Sequence, residues 1–523
     1  MTAACPPPQA GPENPQNAEA NKPAAPAIQD AAFDLDEVKL TGVRFVPEGF
    51  GLPRMVRVVP KKPVTLDKQR KAFASAKPER KALEVKLLTT ALWDAAKAAG
   101  DDEAAAKALR EEAQKALIEV RDTLGEKADA IVLQQLLIAS MWVGDDATAM
   151  AAGGDLLTRF PTTNSAKALH SWVVFLNLRN WQTAEAAKLI EGWTLDSPDI
   201  NYLRAYVMAW VAFRMRDYDN ARAAVIWAAK NWKSAATRPA IERDLVLMLS
   251  RSGTPVDDAA GHFAEMSQGN LELQYMWLYK LYEGFELAGY RDLAAEALRK
   301  GLSVLGEKVP PEQRVSILQR QSTNYLYANK PENAATTGIE AQKALLACSD
   351  KCTAMAEPIA EHLRKLASFF HTTYSVTQDN AYYGPAKQLY EYYVSLGRAD
   401  GETIRGYLSR LEETKERAQA NASKHDANTM DLVTGFRNQS IKACYEAVLQ
   451  SETELKGSVK LTVDVSDAGS VSGAATEPAA GAEGMAAVAG CMQERAKMWS
   501  FPGRTVKGTT KVSRSYNLEP QSN

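Results

Sequence analysis

Residues 210–232, WVAFRMRDYDNARAAVIWAAKNW, hold two helical patterns on either side of a polar turn, and the same unit returns along the chain. It stands again in FLNLRNWQTAEAAKLIEGW (175–193), FELAGYRDLAAEALRKGL (285–302) and LYANKPENAATTGIEAQKAL (326–345). Between about 65 and 425, apolar residues recur three and four apart, as in Leu136, Leu137, Met141 and Leu203, Tyr206, Val207, Trp210. Prolines at 161, 198, 255 and 310–311 fall between the helical stretches, where they start or end helices. Aligned on the small residue of the second helix, Ala149, Ala184, Ala221, Ala259, Ala294, Ala334 and Ala386 are 35, 37, 38, 35, 40 and 52 residues apart. Two helices that cross closely need a small side chain at the crossing. An aromatic sits three residues earlier in several units (Trp181, Tyr218, Tyr383), and the interval of 52 implies an insertion. The competing account is an irregular helical bundle with accidental spacing.

A helix–turn–helix unit of about 34 residues resembles the tetratricopeptide repeat, and the resemblance covers roughly 125–415. It implies a mostly α fold, a helical solenoid whose first helices line a groove for extended peptides or partner helices. By position, the groove residues include Tyr206, Trp210, Arg214, Tyr279 and Glu283. Core packing is the other account of Trp210 and Tyr279.

Five regions follow. Residues 1–36, rich in Pro, Ala, Asn and Gln, read as a disordered tether, because so few large apolar groups cannot offset ordering entropy. Residues 37–64 alternate in places (Val38, Leu40; Val43, Phe45) and suggest a short β or irregular segment, with a hairpin. Residues 65–125 are charged and helical, a hairpin capping the array, with the charge run on a solvated face. The repeats fill 126–425. From 436 to 520 the texture becomes helix, strand, strand, helix, strand, with strict alternation at Val459, Leu461, Val463 and Val465.

In that last region the order I-x-x-C-Y-E (441–446), G-x-V-x-L-x-V-x-V (457–465), V-A-x-C (488–491) and W-x-F-P (499–502) resembles the AgmX/PglI C-terminal domain. This is a TonB-C-like module of envelope proteins of the adventurous gliding-motility machinery. The resemblance implies a small α+β domain that contacts other envelope proteins by adding a strand at a sheet edge. The final strand, Val512 to Leu518, is the expected edge. Trp499 and Phe501 are expected to pack where the last helix meets the sheet.

Five cysteines make an odd count. Cys348 and Cys352 stand four apart, and Cys444 and Cys491 lie in the C-terminal region. No His or further Cys is near either pair in sequence, which argues against metal, and C-x-x-C redox spacing is absent. Disulfides in a permissive compartment fit better, and buried free thiols are the alternative. In the resemblance above, Cys444 and Cys491 sit on the two helices and bridge them. Cys5 follows Thr2-Ala3-Ala4 and precedes Pro6-Pro7-Pro8 and the tether, which resembles a bacterial lipoprotein processing site. That implies lipid attachment at Cys5 and, with Pro6 next, the outer membrane.

Lys+Arg 62 against Asp+Glu 64 leaves a net charge of −2, which argues against a nucleic-acid partner. No run approaches the length of a membrane span. There is no phosphate-cradling Gly loop, no H-E-x-x-H and no G-x-S-x-G. The five histidines are scattered, and Asp–Asp pairs at 101–102, 145–146 and 257–258 fall at turns or helix starts. The expectation is a non-enzymatic periplasmic scaffold without cofactor. The resemblance adds that it connects an outer-membrane barrel and inner-membrane components of a gliding complex. The alternative is a cell-wall-associated enzyme or its substrate-recruiting subunit.

Overall fold

The structure, a computed structural model, describes residues 32–348, 350–418, 427–479, 483–501 and 509–521. First helices Pro78–Ala98, Ala130–Val143, Asn164–Arg179, Tyr202–Arg214, Arg238–Arg251, Leu271–Ala288 and Pro311–Tyr327 each turn onto a second helix. The seconds are Glu103–Leu124, Asp146–Arg159, Thr183–Leu189, Tyr218–Asn231, Val256–Ser267, Arg291–Leu305 and Pro331–Ala347. Ala356–Thr377, Asn380–Ser395 and Gly401–Ala418 continue the series.

One turn is used repeatedly. Gly144, Trp181, Arg216, Gly289 and Asn329 all take the left-handed backbone, with φ between 59 and 83°. In each case the next residue's N–H reaches back to a carbonyl five residues earlier: Asp145 to Ser140, Gln182 to Asn177, Asp217 to Ala212, Tyr290 to Phe285, Lys330 to Tyr325. This closure satisfies carbonyls that a helix end leaves unpaired. Asp145 and Asp217 then cap the following helix through their carboxylates.

Counted from that turn, Ala149, Ala186, Ala221, Ala294 and Ala334 each lie five residues past the left-handed position, and each is at most 1% exposed. Ala259, four residues after Pro255, is equally buried. The alignment through Ala184 was therefore two residues off, and Ala184 is exposed. The run Ala184-Glu-Ala-Ala offers three alanines, and only the cap position selects among them. Trp181 and Tyr218 are likewise not equivalent: one is the left-handed residue, the other starts a helix. The 52-residue interval comes from the 22-residue helix Ala356–Thr377 and the short turn Asp350–Met355 before it. Cys348 and Cys352 are bridged across that turn, Cα atoms 5.8 Å apart.

The expected capping hairpin gains a helix, Leu66–Ala74. Its charges cross between helices, Arg70 to Glu112 at 2.6 Å and Lys81 to Glu119 at 3.1 Å, so part of the run forms exposed or half-exposed pairs rather than a purely solvated face.

Four strands, β1 (Ala32–Gly42), β2 (Gly457–Val465), β3 (Val471–Pro478) and β4 (Thr510–Pro520), form one sheet in the order β1-β4-β2-β3. Helices Ala427–Leu449 and Glu483–Lys497 cover one face. Val459, Leu461, Val463 and Val465 of β2 and Val512, Tyr516 and Leu518 of β4 point into that core, while Lys460, Lys511 and Asn517 alternate with them. Cys444 and Cys491 bridge the two helices, Cα atoms 5.7 Å apart across 47 residues. Closing such a loop contributes about 4 kcal/mol on the chain-entropy estimate.

The final strand is not an edge. β1 runs parallel along it from Ala32 opposite Lys511 to Gly42 opposite Pro520, with β2 antiparallel on its other side. No hairpin forms within 37–60, and residues 32–36, assigned to the tether, belong to β1. Val38 and Leu40 pack on the C-terminal core. Alternation announces a strand with one apolar face but does not say which core receives it. Residues 1–31, with Cys5, lie outside the described residues.

The module packs against the middle of the array. Arg251 pairs with Glu446 at 2.5 Å, both largely buried, and Phe436 lies 4.5 Å from Tyr327. Arg495 covers the Tyr290 ring at 4.2 Å. Gly289 closes a repeat turn at φ 78°, and a Cβ there would meet the Ser440 backbone nitrogen at 2.4 Å. Gly289→Ala therefore combines left-handed strain with an overpacked seam, and is expected to cost about 1–3 kcal/mol. Urea denaturation followed by circular dichroism checks it; an unchanged midpoint would show that the seam yields freely.

Candidate functional site

Beyond Gly42 the chain continues without helix or strand through residues 43–58, turning at Gly49–Phe50 with Gly51 at φ 69°, across the first helices from Arg238–Arg251 back to Pro78–Ala98. Its main chain is held by side chains from successive elements. Gln450 accepts the Phe45 N–H (2.7 Å) and donates to the Val43 carbonyl (2.9 Å). Arg214 donates to the Phe45 carbonyl (3.3 Å), and the Tyr206 hydroxyl accepts the Gly49 N–H (3.0 Å). Trp142 donates to the Pro53 carbonyl (2.8 Å) and Gln135 to the Val56 carbonyl (2.9 Å). The Thr90 hydroxyl accepts the Val58 N–H (2.9 Å).

Side chains of the segment are gripped as well, with Phe50 and Met55 buried in the core of the array and Arg44 paired with Glu454. Phe50 stacks on Phe175 (4.8 Å, 7°), meets Trp172 edge-on (4.4 Å) and faces Tyr206 at 6.0 Å. Such pairs add to the burial of an aromatic ring. Arg251 lies over Phe45 at 5.1 Å. Glu48 pairs with Arg243 at 2.5 Å and Arg57 with Asp94 at 2.6 Å, both exposed. Gly49 passes so close to Tyr206 that a Cβ would sit 3.0 Å from the hydroxyl oxygen.

Beneath the segment lies a buried polar network. Asp244, fully buried, accepts from the Tyr206 hydroxyl, from the Trp210 indole (3.2 Å) and from Arg243 (2.8 and 3.0 Å). Burial raises the Asp244 carboxyl above its usual range and these donors oppose the rise; burial also holds the Tyr206 phenol well up. Arg214 is a buried cation between the faces of Trp181 (4.2 Å) and Trp210 (5.8 Å), and it donates to the Leu178 carbonyl. Burial lowers its pKa to about 10, which leaves it charged at neutral pH.

Three of the five expected groove residues, Tyr206, Trp210 and Arg214, thus converge on one site, and the protein's own residues 45–50 cover it. Tyr279 and Glu283 stand 73 residues beyond Tyr206 and Trp210, as the left-handed turns Arg216 and Gly289 do. The segment does not reach them. Glu283 is exposed, Tyr279 half-buried and bonded to Arg320, and both line an open pocket of about 430 Å³ with Met276 and Ile317. Reading the sequence missed Asp244 and the covering segment. The available signals were a lone acid inside DLVLML and two phenylalanines five apart in a Gly/Pro-rich run.

Among the described residues no three His, Cys, Asp or Glu are grouped to hold a metal ion, and no helix is long and apolar enough to cross a membrane. His362 is bonded to Ser322 at 3.0 Å, and Ser322 donates to the Ala334 carbonyl. The hydroxyl is thus the acceptor, and the ring nitrogen Nε2 carries its proton.

No protein-family model matches the chain, and no curated protein matches it. Among solved structures it is similar to a "Circular tandem repeat protein with novel repeat topology and enhanced subunit contact surfaces". The two are 15% identical over 74% of this chain and 83% of that one, with a TM-score of 0.14, too low to add to the repeat architecture seen directly.

Tyr206→Phe leaves the Gly49 N–H and the Asp244 carboxylate each short of a partner, and is expected to cost about 1–3 kcal/mol in denaturant melts. Loss below 0.5 kcal/mol, on the order of an exposed substitution, would remove the network's importance. A second expectation concerns acid. Burial lowers the His362 pKa from 6.5 to about 4. A depressed histidine pKa favours the neutral ring, so its contribution is complete above about 6.5 and is lost as pH falls toward 4, worth about 3 kcal/mol. Stability measured from pH 7 to 4 should fall less steeply in His362→Gln than in wild type; parallel curves would refute this.

Proposed function

We propose that the chain is a non-enzymatic scaffold of a cell-envelope complex, periplasmic and associated with the outer membrane, linking inner- and outer-membrane parts of a gliding-motility machinery. The observation that carries this reading is the union of a long helical-repeat array with a small helix–strand–strand–helix–strand module whose two helices hold cysteines at disulfide distance. An array of stacked helix pairs offers an extended surface for protein partners. Two cysteine pairs at bonding distance suit an oxidising compartment. The tetratricopeptide-like assignment draws on the intervals of 35 to 40 residues, and the AgmX/PglI-like one on the spaced motifs around Cys444 and Cys491. In this reading Cys5 carries the lipid, and the partners are an outer-membrane barrel and inner-membrane components.

Two measurements bear on it. In native material kept free of reductant, Cys348, Cys352, Cys444 and Cys491 should resist alkylation and react only after reduction; reactive thiols at 444 and 491 reject the compartment. Crosslinked cell envelopes should yield the chain together with membrane components of both sides. Recovery with cytosolic proteins alone rejects the scaffold.

A further inference from the structure

One second-helix place in the array is underfilled. Thr183–Leu189 has 7 residues, whereas the other six second helices named above have 12 to 22. Against the shortest of them the shortfall is about 8 Å of helix, at 1.5 Å per residue. Gly192 turns the chain out of the helix at φ 79°. The stretch that would prolong it is drawn aside: Trp193 meets His170 edge-on at 4.7 Å, and Arg204 lies over Trp193 at 4.7 Å and pairs with Asp199.

The place left open lies against an apolar stripe. Met208, Val211, Ala212 and Met215, on helix Tyr202–Arg214 and its C-terminal cap, stand at i, i+3, i+4 and i+7. At 100° per residue they are on the side away from Tyr206, Trp210 and Arg214, and so away from residues 45–50. With Ile190 and Leu195 they line an open cavity of about 750 Å³ between Thr183–Leu189 and Tyr218–Asn231, and Met215 is 59% exposed there. That spacing is what a helix packs against. The rim supplies a sign. Residues 190–200 hold Glu191, Asp196 and Asp199 and no Lys or Arg. Lys188 on the rim is paired with Glu185 at 2.8 Å, while exposed Glu191 has no cation partner among the described residues.

We propose that this outer groove receives one amphipathic helix of a partner protein, seated where a longer Thr183–Leu189 would lie. The partner helix carries an apolar face at the same three- and four-residue spacing, flanked by Lys or Arg that meet the acidic rim. The two methionines suit such a docking surface, because their unbranched chains adapt to the incoming face. Residues 43–58 lie on the other side of helix Tyr202–Arg214 and stay in place. This deepens the scaffold reading and rests on it, by naming the chemistry of one partner.

The probe is a fluorescein-labelled peptide of residues 291–305, RDLAAEALRKGLSVL, itself a second helix of the array, with Leu298 and Leu302 on its apolar side and Arg299 and Lys300 beside them. It is titrated into the full-length chain and followed by anisotropy, and saturable micromolar binding is expected. Met215→Glu sets a charge in the stripe at an exposed position and should weaken binding at least about tenfold. Glu191→Lys should weaken it several-fold, and a peptide with Arg299→Glu and Lys300→Glu should recover the loss in that variant. No saturation up to about 1 mM, or equal binding by wild type and Met215→Glu, overturns the proposal. Saturable binding of dodecanoate that the peptide does not compete away also overturns it, by making the groove a small-molecule site. Should Met215→Glu fail to fold by circular dichroism, the charge swap at Glu191 decides: recovery supports the helix, and no recovery overturns it. The peptide result concerns only what the groove accepts, whereas the envelope crosslinking above decides the scaffold, so either can fail alone.

Discussion

Residues 32–58 join the two halves of this protein in one continuous strand of chain. The first part, β1, lies along β4 and puts Val38 and Leu40 on the C-terminal core. The second part lays Phe50 between Trp172 and Phe175 and brings the Gly49 N–H to Tyr206. Between them, Gln450 grips both the Val43 carbonyl and the Phe45 N–H, just past the helix that carries Cys444. Arg251 serves both halves as well, paired with Glu446 and covering Phe45. An empty inner face would leave Asp244 and Arg214, a buried acid and a buried cation, facing solvent or unmatched. Buried charge is costly without fixed donors and acceptors, so the segment and the network beneath it stabilise each other.

The array itself depends on a more local rule. A left-handed residue and a carbonyl closed from behind recur at five of the turns, Asp145 and Asp217 add a carboxylate cap, and the alanine then falls at the crossing. Gly289 shows two such demands meeting. It ends a helix at positive φ, and it lets the module's helix approach within backbone contact at Ser440. Trp181, Arg216 and Asn329 show that the turn tolerates other residues where nothing approaches so closely.

Much of this was legible. The period, the insertion near Cys348 and the element order of the C-terminal module arise from neighbours in sequence or from side-chain alternation, whereas the bridge between Cys444 and Cys491, 47 residues apart, was implied by the resemblance. The error at Ala184 arose because composition cannot choose among adjacent alanines; hydrogen bonding at the turn can. Tyr206, Trp210 and Arg214 were expected in the groove through the tetratricopeptide resemblance, which carries no information about what covers that face.

The sequence by itself determined where helices start, stop and repeat, because caps, turns and apolar spacing act within a few residues. It also marked Val38 and Leu40, within residues 37–64, as alternating in the manner of a strand. Only the tertiary structure decided that this strand pairs with β4 and that Phe50 fills the aromatic cage. Both contacts join residues far apart in the chain, and their partners are selected by which unfilled surface remains once the helices have packed. No local pattern encodes that remainder.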